Sequence, residues 1–260
     1  MIYVYTLAIN EIYNSFIEAQ LNSIHNLFPD KQKTFIILSD ITYDVNKLTE
    51  KYNFNQHNIN LLSYIVPNIS FSINCLLKTY YMQLYLPKEC TNNDLILFFD
   101  ADTIYLEKGK NFYDDLYQKF LEYDLILCKH SLEKDYQYWM NDEHNRIEIN
   151  KASYINNVKT NYVQTSFFGL KKQSLYKINI DITNLLNEDQ TPEIKYLGHF
   201  QDETYINKIQ CDSLDYKIYK DYFNDIYTMH NYVDRPNIFC LQKYNIDEKS
   251  KYKRKINILK

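Results

Sequence analysis

A run of five apolar residues, Leu95-Ile-Leu-Phe-Phe99, leads directly into Asp100-Ala-Asp102 and then into a second apolar run, Thr103-Ile-Tyr-Leu106. The first run predicts a buried strand, and the two aspartates follow at its carboxyl end, where α/β sheets bind ligands. Two carboxylates at such a position are costly to desolvate unless a cation or hydrogen-bond donors meet them. Hard divalent ions and a diphosphate are therefore the expected ligands.

Further apolar strands alternate with helical patterns along the chain. The strands are predicted at residues 2–9, 34–38, 61–66, 125–128 and 162–170. Helical patterns are found from Phe16 to Ile24 and over 76–86 and 112–121, and residues 202–209 are predicted to start a further helix. This alternation predicts an α/β fold with a mostly parallel sheet flanked by helices. At 260 residues the chain is long enough for one large domain, which we assign to residues 1–245.

Composition limits the kind of ligand and the compartment. A net charge of −4 argues against nucleic acid as a partner. With only three glycines, a Gly-rich phosphate loop is excluded, so metal and side chains must hold any phosphate. Five widely spaced cysteines indicate free thiols in a reducing compartment. No signal-peptide pattern or long apolar run is present, so we expect a cytoplasmic protein.

Two segments lie outside the strand–helix pattern. Residues 131–161 are polar and aromatic, and we interpret them as a loop over a site. Residues 249–260 carry six basic residues and no acid, which predicts a tail, taken as residues 246–260. This tail could hold the protein at an anionic inner-membrane surface, or be a solubilising end without a partner.

A second acidic pair occurs in the segment His199-Phe-Gln-Asp202-Glu203-Thr-Tyr-Ile-Asn207-Lys208. Taken alone, Asp202 and Glu203 could merely stabilise the start of a helix. Between this pair and Asp100-Ala-Asp102 lies a strand with Gly169, which we interpret as a conformational glycine. Asp-x-Asp, a glycine-containing strand and an acid pair, in that order, form a layout typical of sugar transferases.

These motifs resemble the family-6 retaining glycosyltransferases, which include the blood-group A and B transferases, the α-1,3-galactosyltransferases and bacterial relatives. Asp100-Ala-Asp102 matches the family's Asp-Val-Asp, and Thr165-Ser-Phe-Phe-Gly169 resembles its Gly-Gly-Phe-Phe-Gly. The segment 200–208 resembles Trp-His-Asp-Glu-Ser-His-Leu-Asn-Lys, and Tyr222-Phe-Asn-Asp225 resembles Tyr-Leu-Trp-Asp. The resemblance extends from about Ala8 to Asp225 and implies a GT-A fold.

The resemblance also implies a role for each matching residue. Glu203 would be the catalytic carboxylate, and Asp100 and Asp102 would bind Mn²⁺ or Mg²⁺ with the UDP-sugar donor. The remaining donor-binding positions would be Ala8, Ile9, Tyr13, Lys78, Gln164, Ser166 and Asp202. Acceptor contacts would come from His130, Phe200 and Asp225. The implied activity is metal-assisted transfer of galactose or N-acetylgalactosamine to a saccharide acceptor of a surface glycan, such as a lipopolysaccharide or lipooligosaccharide.

Departures from the family pattern leave alternatives open. Gln201 replaces a histidine, and Thr165 and Ser166 replace two glycines, so side chains project where the donor sugar would lie. A family-8-like glucosyl- or galactosyltransferase is one alternative, with His230 as a further metal ligand. A carbohydrate- or calcium-binding module using the same aspartates is another, and an inactive relative is a third.

Overall fold

In this computed structural model, the residues that are described form ten strands in a large and a small β-sheet. The structure describes residues 1–69, 71–108, 110–129, 163–188, 205–207, 209, 216–221, 227–229 and 240–242. The strands are β1 Ile2–Ala8, β2 Lys33–Ser39, β3 Ile59–Ile65, β4 Leu95–Phe99, β5 Thr103–Tyr105, β6 Leu125–Lys129, β7 Val163–Leu170, β8 Ile218–Asp221, β9 Tyr227–Met229 and β10 Cys240–Gln242. The large sheet has seven strands in the order β3-β2-β1-β4-β7-β6-β8, and the small sheet has the order β5-β10-β9.

The large sheet is mostly parallel, as the sequence predicts. Only β7 runs against its neighbours, β4 and β6, and the other four pairs are parallel. The strands β2 and β4 are buried along their whole length, which explains their nearly continuous apolar runs. The expected α/β class with a mostly parallel sheet is confirmed, and the fold is Rossmann-like.

Helices cover both faces of this sheet. They are α1 Asn10–Ser23, α2 Val45–Lys51, α3 Phe71–Leu84, α4 Lys110–Leu121 and α5 Lys172–Glu188. Successive residues of β1 point to opposite faces, so Val4 packs in one core with α1 and α4, and Tyr5 packs in the other with α3 and α5. Among the described residues, no helix is long and apolar enough to cross a membrane.

The order of the strands creates a switch point between β1 and β4. From β1 the chain adds β2 and then β3 on one side, and it returns to place β4 on the other side of β1. Open α/β sheets bind their ligands in the crevice at such a point, outside the carboxyl ends of the strands. The two connections that leave this crevice start at Ile9 and at Asp100.

Gly169 is required for packing, and its interpretation as a conformational glycine is wrong. Its backbone φ is not positive, and it lies on β7 between Leu97 of β4 and Ile126 of β6. A Cβ atom added there would lie 2.8 Å from Cδ2 of Leu97 and 3.0 Å from Cδ1 of Ile126. Glycine therefore lets the side chains of two neighbouring strands meet over the backbone of β7.

Gly169→Ala is expected to lower the free energy of unfolding by about 1–3 kcal/mol, because the new methyl group overpacks this contact. Urea denaturation measures the loss. Leu97→Ala opens a cavity at the same place, so the double variant should lose less stability than the two single losses combined. Additive losses would show that Gly169 and Leu97 do not compete for space.

Lys33 gives the protein a pH-dependent stability. Its side chain is fully buried at the start of β2, and its Nζ donates hydrogen bonds to the carbonyl oxygens of Phe28 (3.2 Å) and Lys31 (3.3 Å). Burial lowers the pKa of Lys33 to about 8, against an ordinary value of 10.5. Between these values the unfolded chain binds a proton that the folded chain lacks, so stability rises with pH.

Lys33→Met is expected to flatten that rise. In the wild type, Lys33 should contribute a gain on the order of 1 kcal/mol per pH unit above pH 8, which the variant lacks. Urea denaturation of both proteins from pH 7 to 10 isolates this contribution, because titrating tyrosines and cysteines are common to both. Parallel stability profiles would contradict the assignment.

Candidate functional site

The predicted donor-binding residues at the ends of β1 and β4 meet at the switch point. Ala8 and Ile9 end β1 and lead into α1, and both are buried. Asp100 and Asp102 follow β4. The side chain of Asp102 is nearly enclosed, with 6% of the residue exposed, whereas the Asp100 side chain is 31% exposed. One carboxylate thus lies in the wall of the crevice and the other borders its opening.

Backbone and side-chain hydrogen bonds fix the turn after β4. The amide of Asp100 donates to the carbonyl oxygen of Ser166 (2.8 Å), and the amide of Thr103 donates to that of Asp100 (3.1 Å). From α1, Nε2 of Gln20 donates to the Asp100 carbonyl oxygen (3.2 Å) and to the hydroxyl of Tyr105 (3.2 Å). Because β5 starts at Thr103, Asp102 is held between two strands in a fixed orientation.

Lys78 of α3 brings a buried cation to the same place. Its Nζ lies 3.9 Å from Oδ1 of Asp100, donates to the carbonyl oxygen of Thr165 (3.3 Å) and lies 4.6 Å from the centre of the Phe98 ring. The side chain is only 4% exposed, so solvent screens its charge weakly. The family resemblance assigns Lys78 to the diphosphate, and that role stays a prediction; the structure places its ammonium group beside Asp100.

Tyr13, on α1, is the fourth residue considered at this site. Burial raises the pKa of Tyr13 above its ordinary value, the charges of Asp100 and Asp102 raise it further, and Lys78 opposes them. The phenol therefore lies within electrostatic range of both aspartates. Its ring packs edge-on against Phe16, which fixes its orientation.

The start of β7 extends past the end of β4 and borders the aspartates. Thr165 and Ser166 are both nearly buried, and Ser166 holds the Asp100 amide. Gln164 lies one residue earlier, with its backbone opposite Cys128 of β6. The sequence places these residues around a donor sugar, and the structure brings their strand next to Asp100.

The chain that follows Asp202 and Glu203 is anchored at the same end of the sheet. Residues 205–207 and 209 are helical, which confirms that part of the helix predicted over 202–209. Asn207 is fully buried and bonds Val163 twice: its Oδ1 accepts from the amide (2.9 Å) and its Nδ2 donates to the carbonyl oxygen (2.7 Å). Sequence reasoning assigned no role to Asn207, although it belongs to the quoted motif.

Several predicted residues lie outside the described residues. They are His130, Phe200, Asp202, Glu203, Asp225 and the alternative metal ligand His230. The predicted loop 131–161 and the basic tail 246–260 also lie outside them. Their assigned roles stay predictions.

A hydrogen-bond network around Asp40, which sequence reasoning missed, shapes the turn from β1 into α1. Oδ2 of Asp40 accepts from the amide of Asn10 (3.0 Å) and from Asn68 (2.7 Å), and its Oδ1 accepts from Asn14 (2.8 Å). Asn10 has a positive φ of 72° and caps α1 by accepting from the amide of Ile12 (3.0 Å). The signal in the sequence is only the aspartate directly after β2, because its three asparagine partners lie 26 to 30 residues away along the chain.

Asp100 and Asp102 offer the oxygen ligands that Mg²⁺ and Mn²⁺ prefer. Within the described ranges, no group of three or more His, Cys, Asp and Glu side chains could hold a metal ion. Mg²⁺ is commonly bound by one or two carboxylates together with substrate phosphates. The two aspartates therefore fit a cation that is shared with a bound diphosphate.

Comparison with known proteins gives no independent assignment. No protein-family model matches the chain, and no curated protein matches it.

Proposed function

We propose that the protein is a retaining glycosyltransferase of GT-A type that transfers galactose or N-acetylgalactosamine from a UDP-sugar to a saccharide acceptor. The observation that carries this proposal is the meeting of Asp100, Asp102, Lys78 and Tyr13 at the switch point of the sheet. One buried and one partly exposed carboxylate beside a buried ammonium group suit a metal-bound diphosphate. The order of the motifs, with Glu203 after them, supports sugar transfer over simple phosphate binding.

Two positive charges, the bound cation and the ammonium group of Lys78, would hold the diphosphate. Asp102 and Asp100 would hold Mn²⁺ or Mg²⁺, which when bound supplies positive charge to the departing diphosphate. Lys78 adds a second, fixed positive charge whose orientation is set by the Thr165 carbonyl oxygen and the Phe98 ring. Tyr13 would stack on the uracil, with the backbone at Ala8 and Ile9 bonding its polar edge.

The sugar would react on the side of β7 and Glu203. The bond between the anomeric carbon and the phosphate oxygen breaks, its electron pair leaves with UDP, and positive charge develops on the sugar ring. Glu203 would either attack the anomeric carbon or stabilise this charge. An acceptor hydroxyl then bonds to the anomeric carbon, displaces Glu203 where a glycosyl–enzyme bond has formed, and gives its proton to the departed diphosphate. Both routes retain the anomeric configuration. Asp202, Gln164 and Ser166 would contact the donor sugar.

Acceptor recognition follows from the resemblance. His130, Phe200 and Asp225 would contact a saccharide of a surface glycan such as a lipopolysaccharide or lipooligosaccharide. Since such acceptors are built on lipids, we propose a cytoplasmic enzyme whose basic tail holds it at the inner membrane. Salt-sensitive binding to anionic vesicles that is lost on truncation at Ile246 supports this location.

A donor panel tests the proposed function. The full-length protein is incubated with UDP-, GDP- and CMP-sugars in the presence of Mn²⁺, and the released sugars are followed by NMR. We expect hydrolysis of UDP-galactose or UDP-N-acetylgalactosamine, with the α-anomer released first because configuration is retained. Absence of both binding and hydrolysis for every nucleotide sugar would contradict the proposal and favour a non-catalytic module.

A further inference from the structure

The face of α3 that packs on the sheet is apolar towards the carboxyl end of the helix and polar towards its amino end. Towards its carboxyl end, this face buries Tyr81 and Met82 against the apolar core. One turn earlier it carries Lys78, and one further turn earlier it carries Asn74, both buried. Residues four apart lie on the same side of a helix. The buried face thus turns polar as α3 reaches the crevice beside Asp100.

Asn74 also lies on this face, and it has no role in the proposed reaction. It is only 1% exposed, and within the described part of the chain neither its Oδ1 nor its Nδ2 has a hydrogen-bond partner. A buried polar group without a partner destabilises the folded protein, because it has lost its hydrogen bonds to water. Such groups are uncommon in folded proteins, and one that borders a ligand site is naturally satisfied by the ligand.

The position of Asn74 is consistent with that site. Lys78, one helical turn away on the same face, forms an ion pair with Asp100. Lys78 therefore brings this face of α3 to the residues that border the crevice.

The chemistry of the amide selects the kind of group that it would bind. Its Nδ2 donates and its Oδ1 accepts, so full pairing needs a group that offers both an acceptor and a donor. An ionised diphosphate offers acceptors only and would leave Oδ1 unpaired. A cation would take Oδ1 and leave Nδ2 unpaired. Sugar hydroxyls and the imide edge of uracil offer both.

We propose that Asn74 is a specificity-determining residue that binds a neutral donor–acceptor group of the nucleotide sugar, and not its phosphates. This inference rests on the proposed function, since it assumes a nucleotide-sugar donor in the crevice. It adds a second role to α3: Lys78 supplies charge to the diphosphate, and Asn74 recognises a hydroxyl or imide group.

Asn74→Leu separates recognition from a structural role. Leucine has a similar size and no polar atoms, so the variant without ligand should be at least as stable as the wild type in thermal denaturation. Thr79→Val is a matched control, because Thr79 is also buried on α3 with an unpaired Oγ1, while its carbonyl oxygen accepts from Asn179 of α5. This control removes a comparable group on the side that faces another helix.

Titration calorimetry with UDP and with UDP-galactose, both with Mn²⁺, tests the binding role. Asn74→Leu should bind UDP-galactose about tenfold more weakly, which corresponds to about 1.4 kcal/mol, and Thr79→Val should bind it as the wild type does. If the affinity for UDP falls equally, Asn74 binds the nucleoside. If the affinity for UDP is unchanged, Asn74 binds the transferred sugar.

Two results would overturn the inference while leaving the proposed function in place. One is an Asn74→Leu variant with wild-type affinity for both ligands. The other is a variant that is markedly less stable without ligand, because Asn74 would then have a structural partner. A wild-type protein that binds neither ligand would instead remove the proposed function, and the inference with it.

Discussion

Asp102→Asn is expected to lower the rate of sugar transfer by at least about a hundredfold, equivalent to about 2.7 kcal/mol of transition-state stabilisation. The substitution keeps the shape of the side chain and removes the negative charge that would bind the cation. Asp102 is nearly buried in the turn between β4 and β5. The rate is measured as release of UDP at saturating Mn²⁺ and donor.

The chain offers a matched control for this variant at the opposite end of β4. Asp94 precedes the strand and is also nearly buried, and its Oδ2 accepts from the amide (2.7 Å) and the hydroxyl (2.9 Å) of Thr91. Asp94→Asn should cost stability but keep the Mn²⁺ dependence of transfer. If Asp102→Asn retained the wild-type rate and metal response, the cation could not be bound there.

Glu203→Gln is expected to have the largest effect of all, a loss of transfer of more than about a thousandfold. Glutamine cannot attack the anomeric carbon as a carboxylate does, and it carries no negative charge to stabilise the positive charge that develops on the sugar. UDP binding should persist, because Glu203 would act on the sugar and not on the diphosphate. Single-turnover assays and calorimetry with UDP measure the two quantities separately.

An exposed glutamate provides the comparison for Glu203. Glu122 lies in the turn after α4 on the protein surface, and Glu122→Gln should leave both transfer and UDP binding unchanged. Wild-type-like turnover by Glu203→Gln would remove this residue from the mechanism. A simultaneous loss of UDP binding would assign it to holding the donor.

The sequence predicts the central sheet well because buried parallel strands have nearly continuous apolar sequences. The elements it does not predict have weaker patterns. In α5 the residues Ile178, Ile180 and Ile182 alternate as in a strand, yet the helix buries Ile178 and Ile182 and leaves Ile180 61% exposed. The helix α2 has no fully buried residue, and only Val45 and Leu48 pack partly against the core, so its apolar period is too short to detect.

The site also contains some residues that the sequence pattern predicts and others that it does not. Asp100 and Asp102 are predictable because two carboxylates directly after a buried apolar run imply a partner, whereas Lys78 is predicted only through the family resemblance. The roles of Asn207, Asn74 and the network around Asp40 depend on which strand or helix lies opposite, and spacing along the chain does not contain that information. A polar residue on an otherwise apolar helix face, such as Asn74, is the one signal available beforehand.

The central claim is that the crevice between β1 and β4 binds a nucleoside diphosphate together with a divalent cation. Calorimetric titration of the wild-type protein with UDP, once with Mn²⁺ and once with excess chelator, tests it most directly. We predict binding with Mn²⁺ that weakens at least tenfold in chelator and is equally weak in Asp102→Asn. Absence of UDP binding, or binding that is the same without the cation and in the variant, would contradict the claim.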